Sequence, residues 1–102
     1  MAGQVPRDPS TGAVPEAFVD QARRALDNVA AVAAVAHTSL RNALRVGVYL
    51  ADLATIEELD SIYAEYFVEP YPARTAIQAG LRGYQIEVDA IVAVPNLNEE
   101  GE

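Results

Sequence analysis

The sequence predicts an α+β domain: a two-layer sandwich with two helices packed on one face of a β-sheet. Three observations carry that expectation. Apolar residues recur at three- or four-residue spacing in two segments and alternate strictly in three others, in the order helix, strand, helix, strand, strand. Both helical segments have an apolar stripe of the kind that a sheet face covers. The 102 residues allow one small domain, assigned to 1–94, with 95–102 left as an acidic tail.

Residues 1–14 read as a loop, because Pro6, Asp8-Pro9 and Ser10-Thr11-Gly12 are closely spaced turn formers. A first helix is expected to start near Pro15, a residue suited to the first helical position. Phe18, Ala22, Leu26, Val29 and Ala33 fall on one stripe, and Asp20 and Arg24 are spaced as an i,i+4 ion pair. From Val29 to Ala36 the helix is apolar all round, which predicts cover on more than one side.

The first strand spans Leu44 to Leu50, with Leu44, Val46, Val48 and Leu50 on one face. A second helix follows from Thr55, where Thr55 and Glu58 have the spacing of a capping box. Its stripe is Ile56, Leu59, Ile62, Tyr63, Tyr66 and Phe67. Pro70 and Pro72 end it.

The last third reads as a β-hairpin with Arg82-Gly83 as its two-residue turn. That register pairs Ile77 with Val88 and Ala79 with Ile86. It puts Arg74, Ala76, Gln78, Glu87 and Asp89 together on the opposite, polar face.

Composition excludes several chemistries. Cysteine is absent and His37 is the one histidine, so thiolate nucleophiles, disulfides and zinc sites are not expected. Ser10 and His37 lack the pattern of a triad. Gly80-Leu81-Arg82-Gly83 lacks the Lys-Ser/Thr ending of a phosphate loop. The net charge is −8 with seven scattered basic residues, which argues against nucleic acid as a partner. No apolar run is long enough to span a membrane, and the start has neither basic flank nor apolar core of a signal peptide, so cytoplasm is the expected compartment.

Arg74 is the residue that most suggests a ligand. In Tyr71-Pro72-Ala73-Arg74-Thr75 the prolines fix where it emerges, and a guanidinium so placed can grip a carboxylate. The plain alternative is a surface arginine in a cross-strand ion pair with Asp89, worth well under about 1 kcal/mol. Glu57 and Asp60 on the second helix read as solvated charges, and Tyr63, Tyr66 and Phe67 as core.

Taken together, Tyr63-Ala64-Glu65-Tyr66-Phe67, Pro72-Ala73-Arg74-Thr75 and Gly83-Tyr84-Gln85-Ile86-Glu87-Val88-Asp89-Ala90 resemble the RidA/YjgF family, often described as endoribonuclease L-PSP. Gly3-Gln4-Val5-Pro6 through Thr11-Gly12 is similar to a loop of that family. Gln21, Ala25-Leu26 and Asn28 are similar to its first helix, and Val46-Gly47-Val48-Tyr49-Leu50 to its central strand. The resemblance implies a mixed β-sheet of the chorismate-mutase-like kind. It also implies a homotrimer with ligand clefts between subunits, and no cofactor or metal. The implied activity is hydrolytic deamination of reactive enamines and imines, such as 2-aminoacrylate, to 2-keto acids and ammonia. An arginine that grips the substrate carboxylate corresponds to Arg74, and a glutamate that positions water corresponds to Glu87. Ala76 stands where a cysteine is common, and Asp60 where the family has asparagine, so both are assigned to the substrate site. A non-catalytic relative that binds small carboxylates is the alternative. RNA cleavage is disfavoured by the acidic charge.

Two departures from the family carry structural expectations. The family usually begins with a further segment that holds a Gly-Pro-Tyr-Ser stretch and two strands. A chain without them is expected to be less stable, or to pair its open sheet edge with another chain. His37 stands at a helix end where glycine is common, and a left-handed backbone there would cost up to about 1 kcal/mol.

Overall fold

The computed structural model describes residues 3–95. The acidic tail from residue 96 onward therefore lies outside the described residues. Helix α1 spans Phe18–Val35, strand β1 Ala43–Leu50, helix α2 Ile56–Tyr63, strand β2 Ala73–Gln78 and strand β3 Ile86–Val92. Short 3-10 turns at Leu40–Asn42 and Leu53–Thr55 lead into β1 and α2.

Both helices pack on one face of a mixed sheet, as an α+β two-layer sandwich should. The core joins Ala22, Leu26 and Val29 of α1, Leu59 and Ile62 of α2, Val46, Val48 and Leu50 of β1, and Ile86 and Val88 of β3. Phe67, just beyond α2, is fully buried with them. The alternation read from β1 holds at Val46, Val48 and Leu50. It fails at Leu44, which is 61% exposed, because the ladder slips by one residue between Ala43 and Arg45.

The strand order is β2-β1-β3, which corrects the hairpin. β2 runs parallel to β1 and β3 runs antiparallel to it. The turn itself forms as expected: Arg82 and Gly83 have φ of 56° and 94°, and Tyr84 N–H donates to Leu81 C=O at 3.2 Å. The strands on either side of it then pass along opposite edges of β1. Ala79 N–H bonds Leu50 C=O at 3.0 Å, while Ala51 N–H bonds Gln85 C=O at 3.0 Å. The physical reason is that β1 is the most apolar strand and gains a ladder on both edges when it sits in the centre. Alternation and turn chemistry look the same whether two strands pair or admit a third between them. Residues 51–72, with α2 among them, supply the crossover that a parallel pair requires.

Several local expectations are also corrected. Helix α1 begins at Phe18 rather than near Pro15, since the buried Gln21 side chain takes the Pro15 carbonyl at 2.8 Å and Gln85 takes that of Glu16 at 2.8 Å. Both bonds hold the entry extended. Arg24 lies 4.0 Å from Asp27 rather than pairing with Asp20. The capping box is not made: Thr55 is already helical and its hydroxyl donates to Asp52 C=O at 2.7 Å. The apolar second half of α1 is covered on one side only, with Val29 and Ala33 buried and Val35 81% exposed.

His37 does adopt the left-handed conformation, at φ 62°. His37 N–H bonds Ala34 C=O at 3.0 Å and Thr38 N–H bonds Ala33 C=O at 3.1 Å, the paired bonds of a Schellman cap. Along the outer edge of β3, Gln4 exchanges two backbone bonds with Val88, at 2.7 and 3.0 Å. Asn28 Nδ2 secures that loop to α1 by donating to Val5 C=O and Arg7 C=O at 3.0 and 2.9 Å.

Candidate functional site

Parallel pairing places Arg74 beside Val46 and Ala76 beside Val48. Side chains in register share a face, so Arg74 points toward the helices, not toward the bare face. Since β2 is an edge strand, its second residue stands at the flank of α2 rather than beneath it. Arg74 Nη1 donates to Asp60 Oδ1 at 2.6 Å, and the guanidinium carbon lies 5.0 Å from the centroid of the Tyr63 ring. The Arg74 side chain is 28% exposed and that of Asp60 51%. The guanidinium is thus oriented by a carboxylate and an aromatic face while still open to solvent.

Asp60, Tyr63, Ala64, Tyr71, Pro72 and Arg74 line a cavity of about 350 Å³. Its aromatic wall is Tyr63 and Tyr71, whose ring centroids are 6.0 Å apart, with Phe67 packed behind Tyr63 at 4.5 Å. Burial pushes the Tyr63 phenol above its usual pKa, the negative charge of Asp60 adds to the shift, and Arg74 opposes it. The Tyr63 hydroxyl is buried with no hydrogen-bond partner among the described residues. Tyr63 packs against the core, as the sequence predicts, and also lines the cavity, which the sequence does not predict. Its three-residue spacing from Asp60 was the available sign that both side chains share one helix face. Ala76 lies farther along β2, packed against the core and outside the cavity lining.

Glu87 is elsewhere. It pairs with Tyr49, and Asp89 pairs with Gly47, so both carboxylates stand on the face that the helices leave bare. The shared polar face expected for Arg74, Glu87 and Asp89 is therefore not formed, and β1 separates them. Asp89 Oδ2 accepts from the Tyr49 hydroxyl at 2.9 Å. That bond and the Asp89 charge raise the Tyr49 pKa. Gly47 leaves the room the pair needs, since a Cβ there would collide with the Asp89 carboxylate. Gly3 lies against the Glu87 side chain in the same way. Neither Gly47 nor the Tyr49–Asp89 pair was singled out from the sequence, because their contacts cross strands whose order was not legible.

A second concavity, of about 590 Å³, lies between the N-terminal loop and α1. Several of its polar groups hold the loop: Asp8 Oδ1 accepts from Ser10 Oγ, Ser10 N–H and Thr11 N–H at 2.7, 2.8 and 3.2 Å. Among the described residues no three His, Cys, Asp or Glu side chains converge where they could hold a metal ion. No described helix is long and apolar enough to cross a membrane.

The fold and the Arg74 cavity can be set beside known proteins. A RutC family protein of Pyrococcus horikoshii is 38% identical over 94 residues, covering 89% of this chain and 75% of that protein. The 2-iminobutanoate/2-iminopropanoate deaminase of Capra hircus is 32% identical over 94 residues, covering 89% of this chain and 69% of the goat protein. Among solved structures, RidA from an Antarctic Psychrobacter superposes with a TM-score of 0.86 at 32% identity, covering 92% of this chain and 78% of that one. Escherichia coli TdcF with bound serine superposes at 0.83 and 28% identity, covering 93% and 78%. The sequence profile described as Endoribonuclease L-PSP matches residues 1–94. With the mixed three-stranded sheet, the two helices on one face and these matches along nearly the whole described chain, the protein belongs to the RidA/YjgF family, described as endoribonuclease L-PSP.

Proposed function

We propose that this protein hydrolyses 2-imino acids, and the enamines in equilibrium with them, to 2-keto acids and ammonia. The observation that carries the reading is Arg74, held by Asp60 and Tyr63 at a cavity sized for a small carboxylate. Deaminase relatives in the family support the chemistry. In this reading Arg74 grips the substrate carboxylate, Asp60 flanks it, and Glu87 positions the attacking water, while Ala76, outside the cavity lining, has no direct part. Water adds to the carbon of the C=N bond, the C–N bond breaks, and nitrogen leaves as ammonia. No step calls for a cofactor or a metal. Because Glu87 is on the other face of its own sheet, the complete site is proposed to form between protomers of a homotrimer in the cytoplasm, with Glu87 of one chain meeting Arg74 of the next.

One observation favours a second reading, a non-catalytic small-carboxylate binder: within one chain, Arg74 and Glu87 lie on opposite faces of the sheet. A single experiment separates the two. The imine is generated in place by oxidation of an amino acid, and its hydrolysis is followed with wild type, Arg74→Ala and Glu87→Gln. Acceleration that both variants abolish is the expected result. A wild-type rate equal to buffer, while pyruvate still binds, would leave only the binding role.

A further inference from the structure

Asp60 puts a carboxylate on the very guanidinium that the proposed reaction needs for its ligand. Its Oδ1 lies 2.6 Å from Arg74 Nη1, at the wall of the same cavity. An arginine alone would offer that cavity a full positive charge. The Arg74–Asp60 pair offers almost none. A ligand carboxylate on the remaining N–H groups of Arg74 would stand within about 5 Å of Asp60, where like charges repel appreciably even in a partly solvated site. A cationic nitrogen on the ligand's α-carbon would offset that repulsion, because it comes within reach of the same carboxylate.

We infer that Asp60 is a specificity-determining residue: it makes the Arg74 cavity favour ligands that join a carboxylate to an adjacent cationic nitrogen over plain carboxylates. The inference rests on the reading above, in which Arg74 holds the substrate carboxylate. It adds a consequence for turnover. A protonated imino acid carries the favoured nitrogen. The 2-keto acid product has lost it as ammonia and is left as a bare anion beside Asp60. The same charge that admits the substrate weakens the hold on the product.

L-alanine and L-lactate test this, since they differ by an ammonium against a hydroxyl on the same carbon. Binding of each to the full chain is measured by calorimetry for wild type, Asp60→Asn, Asp60→Ser and Arg74→Ala. Wild type is expected to bind L-alanine more tightly. Asp60→Asn should tighten L-lactate about tenfold and reduce the preference for L-alanine by at least as much. Asp60→Ser should move the preference the same way, which ties the effect to lost charge rather than to the new amide. An alanine-to-lactate ratio unchanged within about twofold in both Asp60 variants overturns the inference. If Arg74→Ala still abolishes binding in that case, the Arg74 reading stands without it. Undiminished binding by Arg74→Ala, or no binding of either ligand to wild type, overturns both.

Discussion

Arg74 and Glu87 stand on opposite faces of one three-stranded sheet, Arg74 in register with Val46 toward the helices and Glu87 in register with Tyr49 toward the bare side. No side-chain rotation carries either across β1. If both act on one ligand, they must come from different chains, and mixing makes that measurable. Arg74→Ala and Glu87→Gln are each expected to be inactive in imine hydrolysis. Unfolded and refolded together in equal amounts, they should recover about a quarter of the wild-type activity, the share of interfaces in a random trimer that receive both intact residues. Mixtures that stay at the level of the separate variants would show that the two residues do not share a site.

The Tyr63 ring under Arg74 predicts a split between two variants. Tyr63→Phe keeps the aromatic face and removes a hydroxyl that has no partner among the described residues. It should leave carboxylate binding within about twofold of wild type, whereas Tyr63→Leu should weaken it about fivefold, the worth of a partly desolvated cation–π contact. Equal losses in both variants would point to the hydroxyl instead of the ring.

What could be read from the sequence follows the range of the interactions. The helices, the β1 alternation from Val46 onward and the Arg82-Gly83 turn rest on residues close in the chain and are present, though α1 starts late and α2 ends at Tyr63, well before the Pro70 and Pro72 expected to stop it. The left-handed His37 is local in the same sense, since its cap bonds reach only Ala33 and Ala34. Strand order is not local. A turn with φ positive at both positions suits a hairpin, yet its arms here straddle β1, and that moved Arg74 to the other face. The family resemblance put Arg74 and Asp60 at one site, but their ion pair joins a strand to a helix and depends on where β2 lies. Gln21 and Asn28 matched a family pattern with no visible cause. Their amides prove to tie α1 to Pro15, Val5 and Arg7.

Gly47 makes the Tyr49–Asp89 pair sterically possible. Gly47→Ala would drive the Asp89 carboxylate off the Tyr49 hydroxyl, because the new methyl would occupy its place. The expected cost is about 1–3 kcal/mol in urea unfolding, from a strained approach and a lost charge-assisted bond. Adding Asp89→Ala should return part of it, since the clash goes with the carboxylate. A double variant no more stable than Gly47→Ala alone would place the strain in the backbone.

Asp8 ties acid sensitivity to the N-terminal loop. The Ser10 hydroxyl, then the Ser10 and Thr11 backbone N–H groups, hold its carboxyl below the ordinary 3.8. The folded state therefore prefers the ionised form. Its contribution to stability is complete above the ordinary carboxylate range and is lost as pH falls through the lowered folded value. Asp8→Asn should accordingly be less stable than wild type near neutrality and equal to it in strong acid. A gap in the urea midpoint that stays constant across this range would mean that the carboxylate charge is not what the loop uses.

His37 closes α1 with a conformation that suits glycine better. At φ 62° its Cβ is crowded against the backbone, while both cap bonds come from N–H groups that any residue supplies. His37→Gly keeps the bonds and removes the crowding, though it also gives the unfolded chain more freedom. The relief is the larger effect in a left-handed cap, so the net gain should be about 0.5–1 kcal/mol. In a domain this size that raises the melting temperature by about 2–8 °C, readable by differential scanning calorimetry. His37→Ala, which retains the Cβ, should gain nothing. Equal stabilisation by both variants would assign the effect to the imidazole rather than to the backbone.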